Sequence, residues 1–163
     1  MSAAALPKVT KLGMALAAVV IAAIFFYFAR PGLDYYFTDD DIMNLRQSRP
    51  APVSKLLVQT FGFAPQAYRP VGQLFYRGML ALVGLHPRPF HWACFGLLLF
   101  NIFLLFSLVR QLTGSSECAV LAALIGSFHS RMEALYATPS SVYDILCFTF
   151  YFAFLVSYIH WRQ

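Results

Sequence analysis

Three long stretches without a formal charge limit what this chain can become. Leu12 to Ala29 runs for 18 residues before Arg30-Pro31-Gly32 ends it. Phe90 to Val109 runs for 20 residues up to Arg110, and Ile145 to Trp161 for 17 up to Arg162. A helix needs about 20 mostly apolar residues, within roughly 17–25, to cross the ~30 Å hydrocarbon core of a bilayer. A fourth stretch, Cys118 to Phe128, has only 11 residues and reaches spanning length through Ser130 toward Leu135. Four spans are therefore expected within one membrane domain, at 12–29, 90–110, 117–135 and 142–161.

Composition agrees with lipid as the solvent. Apolar residues make up 60% of the chain and charged ones 12%, where soluble domains carry about 25% charged residues. With 17 Phe and 9 Tyr in 163 residues, a soluble domain could not hide so much apolar surface. A soluble globule, a disordered chain and a disulfide scaffold are excluded. Continuous rather than alternating apolar stretches argue against a membrane β-barrel. The expected class is all-α: a polytopic membrane protein. Cys94, Cys118 and Cys147 sit in apolar runs and read as small packing residues. The first stretch exceeds a signal-peptide core of about 7–15 residues and carries bulky Phe25-Phe26-Tyr27-Phe28 where a cleavage site would need small residues. It reads as an uncleaved anchor.

Basic residues at span ends set the expected orientation. Lys8 and Lys11 put the N-terminus in the cytoplasm, and four spans return Arg162 to the same side. The turn from Arg110 to Glu117 is then cytoplasmic and segment 30–89 lies outside. That outer segment holds Arg30, Arg46, Arg49, Lys55, Arg69, Arg77 and Arg88, contrary to the bias of short loops. Cations kept outside suggest an anionic ligand.

The outer segment has helical signals of its own. Asp39-Asp40-Asp41 suits a helix N-terminus, and Pro50 would end that helix. Val53, Leu56, Leu57, Thr60 and Phe61 follow helical spacing until Gly62 and Pro65. From Pro70 to Leu85, Val71, Leu74, Phe75, Leu82 and Val83 form one stripe, with Gln73, Tyr76 and Arg77 largely opposite. These read as amphipathic helices lying in the interface.

Several ionisable residues have chemical potential. The carboxylates of Asp39, Asp40 and Asp41 repel one another and need a cation, a metal or good solvation. They form either a solvated cap or a general base at the membrane surface. Arg69, between Tyr68 and Pro70, could cap, snorkel, pair with a carboxylate or grip a phosphate. His129, Arg131 and Glu133 lie at the outer end of the third stretch and Asp144 at the mouth of the fourth. Ionisable groups at such depth tend to be paired or functional. His129 and Glu133 are four apart but match no strong metal motif. His91 and Asn101 read as polar groups that bond a neighbouring helix. The sequence has no CxxC, phosphate loop, nucleophile elbow or HExxH, and nucleic-acid binding is unsupported.

Taken in order, these features resemble the N-terminal part of a GT-C-fold, polyprenyl-phosphate-sugar-dependent glycosyltransferase. They are most similar to the protein O-mannosyltransferase-like enzymes, including those with tetratricopeptide repeats and their bacterial relatives. The family's aromatic, Asp-Asp and later Asn correspond to Phe37-Thr-Asp39-Asp40-Asp41-Ile-Met-Asn44. Its Tyr-Arg-Pro element corresponds to Tyr68-Arg69-Pro70-Val71, and its Gly-x-x-Pro, aromatic, His element to Gly84-Leu-His-Pro87-Arg-Pro-Phe90-His91. Glu133-Ala134-Leu135 and Asp144 fit its outer turn, without the usual His-Pro or the following Trp. The family's enzymes are several hundred residues long, so the resemblance implies a fragment.

The resemblance implies inverting transfer of a mannose-like hexose from a polyprenyl-phosphate donor to a hydroxyl of a protein or glycan acceptor outside the membrane. Asp40 would be the base, with Asp39 or Asp41 orienting it or binding a divalent metal if one is used. Arg69 would bind the donor phosphate, with Arg77 and Arg88 as secondary candidates. Glu133, Asp144, Tyr68 and His91 would support the acceptor side. A bacterial plasma membrane is favoured over the endoplasmic reticulum. The alternative is a small non-catalytic four-span protein that binds anionic lipid or scaffolds a complex.

Overall fold

A computed structural model describes residues 11–48, 69–128 and 137–162, together with 52, 54, 58 and 135. Among these the regular structure is helical. Helix α1, Lys11–Ala29, continues into a 3₁₀ turn at Arg30–Asp34, where Pro31 occupies the first turn and Tyr35 leaves extended. Helix α2, Asp39–Ser48, is short and polar, with all three acids in its first turn. Helix α3, Pro70–Val83, starts at a proline and stops at Gly84, whose φ of 64° belongs to the left-handed region.

Helix α4, Pro87–Thr113, is 27 residues long, or about 40 Å. Gly114, at φ 67°, ends it and donates its N–H to the Arg110 carbonyl. Helix α5, Ser116–Ser127, begins at Ser115, whose hydroxyl oxygen accepts the Cys118 N–H at 3.2 Å. A 3₁₀ turn at Pro139–Ser141 leads into helix α6, Val142–Arg162.

Among the described residues, three segments are long and apolar enough to cross a membrane: Leu12–Asp34, Pro87–Thr113 and Pro139–Arg162. The chain is thus a helical protein of the membrane type. Its third expected span appears as the 12 residues of α5, about 18 Å against a ~30 Å core. Residues 129–134 lie outside the described part, as does most of the expected 53–61 helix.

The packed core sits at one end. It joins Phe25, Ala29 and Leu33 to Phe37, Leu45, Tyr76, Phe90, Cys94, Phe95, Leu98, Val142 and Ile145. Phe25 stacks on Phe95 at 5.3 Å between ring centroids, and Phe37 meets Phe90 edge-to-face at 5.2 Å. The Asn101 amide donates to the Ile145 carbonyl at 3.0 Å, the interhelical bond expected of a polar residue in a span. Elsewhere α6 leaves Phe150, Tyr151, Phe154 and Trp161 exposed, an arrangement suited to a lipid solvent.

Helix α3 turns a different face inward than its apolar pattern predicts. Tyr76, expected opposite the stripe, is fully buried, while Leu82 is 82% exposed and Val71 and Leu74 are also exposed. The reason is local chemistry. The Tyr76 ring joins Phe90 at 5.9 Å while its hydroxyl finds an acceptor, so a tyrosine can be buried where an unpartnered polar tip could not. Phe75 and Val83 do pack against the core.

Candidate functional site

The candidate site is built where α2, α3 and the start of α6 meet. Thr38 precedes α2 and Asp41 lies three residues on, the spacing of a capping box. Asp41 turns back so that Oδ2 accepts both the Thr38 N–H and the Thr38 hydroxyl, each at 2.8 Å. Its Oδ1 accepts the Tyr76 hydroxyl at 3.2 Å. The carboxyl is wholly buried, and three donors offset the cost of removing it from water. Burial, and next the charge of Asp41, push the Tyr76 hydroxyl far above the ordinary tyrosine pKa.

One turn further along α2, Asn44 Oδ1 accepts the Tyr143 hydroxyl at 3.0 Å. The Tyr143 and Tyr76 rings lie 6.2 Å apart. Arg69 stands over the Tyr143 ring, its guanidinium carbon 4.9 Å from the centroid. The same tyrosine passes so close to Gly72 that a Cβ there would land on its ring. Pro70 holds Arg69 out of the helical conformation, and the Arg69 carbonyl accepts the Gln73 N–H as the first bond of α3. Arg69 thereby borders a cavity of about 220 Å³ that continues over Gly72, Tyr143, Leu146, Cys147 and Phe150.

The acids and Arg69 are therefore linked through two tyrosines. Their duties divide: Asp41 is a buried positioning group, while Asp39 and Asp40 are exposed on the same first turn. Arg77 borders a separate cavity of about 410 Å³ with Ser48, Leu80 and Gly84. Arg88 pairs with Asp34 at 2.7 Å, both side chains mostly exposed, so the bond is worth little to stability. His91 is buried with Nε2 3.0 Å from the Tyr35 carbonyl. Because a carbonyl only accepts, that nitrogen carries the proton. His91 thus anchors the chain leaving the 3₁₀ turn. Asp144 is exposed in the first turn of α6. Tyr68, His129 and Glu133 lie outside the described residues. Among the described residues no three His, Cys, Asp or Glu side chains gather as a metal site.

Residue patterns alone left Tyr143, Gly72 and the Thr38 cap unassigned. Thr38-x-x-Asp41 is a legible capping signal. The meeting of Gly72 with Tyr143 carries no such signal, because the two are 71 positions apart in the sequence. Set against known proteins, the chain matches no family model, no curated protein and no solved structure.

Proposed function

We propose that this chain forms the donor-binding and base-bearing part of a membrane glycosyltransferase that uses a polyprenyl-phosphate hexose. One observation carries the reading. The acidic turn of α2 and Arg69 are tied to the same pair of tyrosines, so an exposed carboxylate and a cation share one end of the bundle. A cation stabilises the phosphate as the sugar leaves, and a carboxylate can take the acceptor proton. The apolar cavity beside Arg69 suits the first units of a lipid tail. Asp40 is the base, Arg69 the phosphate contact, and Asp41 holds the turn that presents Asp40.

The test is transfer of labelled hexose from polyprenyl phosphate by the full-length protein. Asp40→Asn is expected to lower the rate by about 10²–10⁴-fold, and Arg69→Ala to weaken donor binding. A folded Asp40→Asn protein with wild-type transfer would be incompatible with the base assignment. A second reading, a non-catalytic scaffold, draws on one observation: Asp41, the most buried acid of the triplet, is committed to hydrogen bonds within the fold. Absence of transfer by the wild-type protein with any hexose donor would favour it.

A further inference from the structure

At the opposite end of the bundle lies a third cavity, which the transferase reading does not use. It has a volume of about 360 Å³ and runs between α1, α4 and α5. Ala15, Ala18 and Ala22 of α1 leave its wall low, Phe103 and Phe106 of α4 form the other side, and Arg110 stands at its end. Helix α1 runs antiparallel to α4: Phe25 and Phe26 meet Phe95 and Trp92 at the core end, while Met14 and Arg110 border the far part of the groove.

Length, lining and charge point to what fills it. On α4 the lining runs from Leu99 to Arg110, about 16 Å at 1.5 Å per residue. That is the depth of one leaflet, half of the ~30 Å hydrocarbon core. Along that length the lining is apolar on both walls, from the alanines of α1 to Phe103 and Phe106 of α4, as an acyl chain requires. The end of the groove carries charge. Arg110 is exposed where α4 ends, and among the described residues it forms no ion pair.

We propose that this groove binds one acyl chain of an anionic phospholipid, with the headgroup phosphate on Arg110. The site belongs to the leaflet at the α4–α5 turn. It stands at the other end of α4 from the Arg69 cavity and does not depend on the transferase reading. An apolar slot takes the chain, and the planar donor fork of the guanidinium takes the phosphate.

Native mass spectrometry of the full chain, exchanged into mixed phosphatidylglycerol and phosphatidylcholine, tests it. The wild-type protein is expected to retain one lipid, with phosphatidylglycerol preferred. Arg110→Gln lowers that preference about fivefold, the effect of one cation near the membrane surface. Arg162→Gln removes the same charge at the end of α6, outside the groove, and leaves the preference unchanged. Ala18→Phe fills the slot and abolishes retention of either lipid. If that variant loses its helical circular dichroism, Ala22→Leu narrows the slot with less added volume. An unaltered preference in Arg110→Gln, an equal loss in Arg162→Gln, or full retention in a folded slot-filled variant overturns the proposal. So does a lipid-free dimer that Ala18→Phe dissociates, since the groove would then be a contact between two copies.

Discussion

The two ends of this molecule are held together by different forces. Where α2, α3 and the start of α6 meet, buried polar groups fix one another: Asp41 with Thr38 and Tyr76, Asn44 with Tyr143. At the far end, α1 and the last turns of α6 show apolar side chains outward, with Val19, Phe154 and Trp161 all exposed. Lipid neither drives such side chains together nor penalises their exposure, so helix association there rests on packing. Hydrogen bonds are directional and costly to leave unmade inside a protein. The first end is therefore built to hold side chains in place, and the second to sit in a solvent.

That contrast can be broken experimentally. The largest effect is expected at Asp41. Asp41→Ala removes a helix cap and strands the buried Tyr76 hydroxyl, for a loss of about 2–4 kcal/mol. Thermal unfolding in detergent measures it, and a loss below that of an exposed substitution such as Val19→Ala would remove the distinction between the two ends. Next is a pair of glycines on one helix. Gly72→Ala drives a methyl group into the Tyr143 ring, whereas Gly78 has nothing within 4 Å of the same added atom. The first should cost about 1–3 kcal/mol by overpacking, unless the Tyr143 ring swings aside. Gly78→Ala should stabilise by roughly 0.5–1 kcal/mol. Equal melting temperatures for the two variants would mean that the Tyr143 ring is not fixed against Gly72.

The smallest effect concerns Tyr76. Its bond to Asp41 is long for a hydroxyl donor, at 3.2 Å, so Tyr76→Phe should cost only about 1 kcal/mol at neutral pH. The pH dependence is more telling. The folded-state pKa is raised, first by burial and then by Asp41, so the tyrosine's contribution is intact below its unfolded value of about 10. It is lost as pH climbs above that value, because the unfolded chain releases a proton that the folded chain keeps. Denaturation followed between pH 8 and 11, about one to two units either side of that value, should show a shallower decline in Tyr76→Phe. Identical profiles would place Tyr76 in water.

The sequence by itself determined the solvent and the class of fold. Uncharged runs such as Leu12–Ala29 and Phe90–Val109 must be helical in lipid, because no water is present to satisfy a bare backbone. It also marked Pro70 as a helix start, whereas the stops at Gly84 and Gly114 and the start at Pro87 came from the structure. Only the tertiary structure decided which face of α3 turns inward, that Asp41 is buried while Asp40 is exposed, and that Arg69 rests on Tyr143. Periodicity records a side chain's affinity for water or oil and is blind to a partner 35 or 99 residues away. Tyr76 could go inside because Asp41 was there to receive its hydroxyl, and that meeting exists only once the helices have come together.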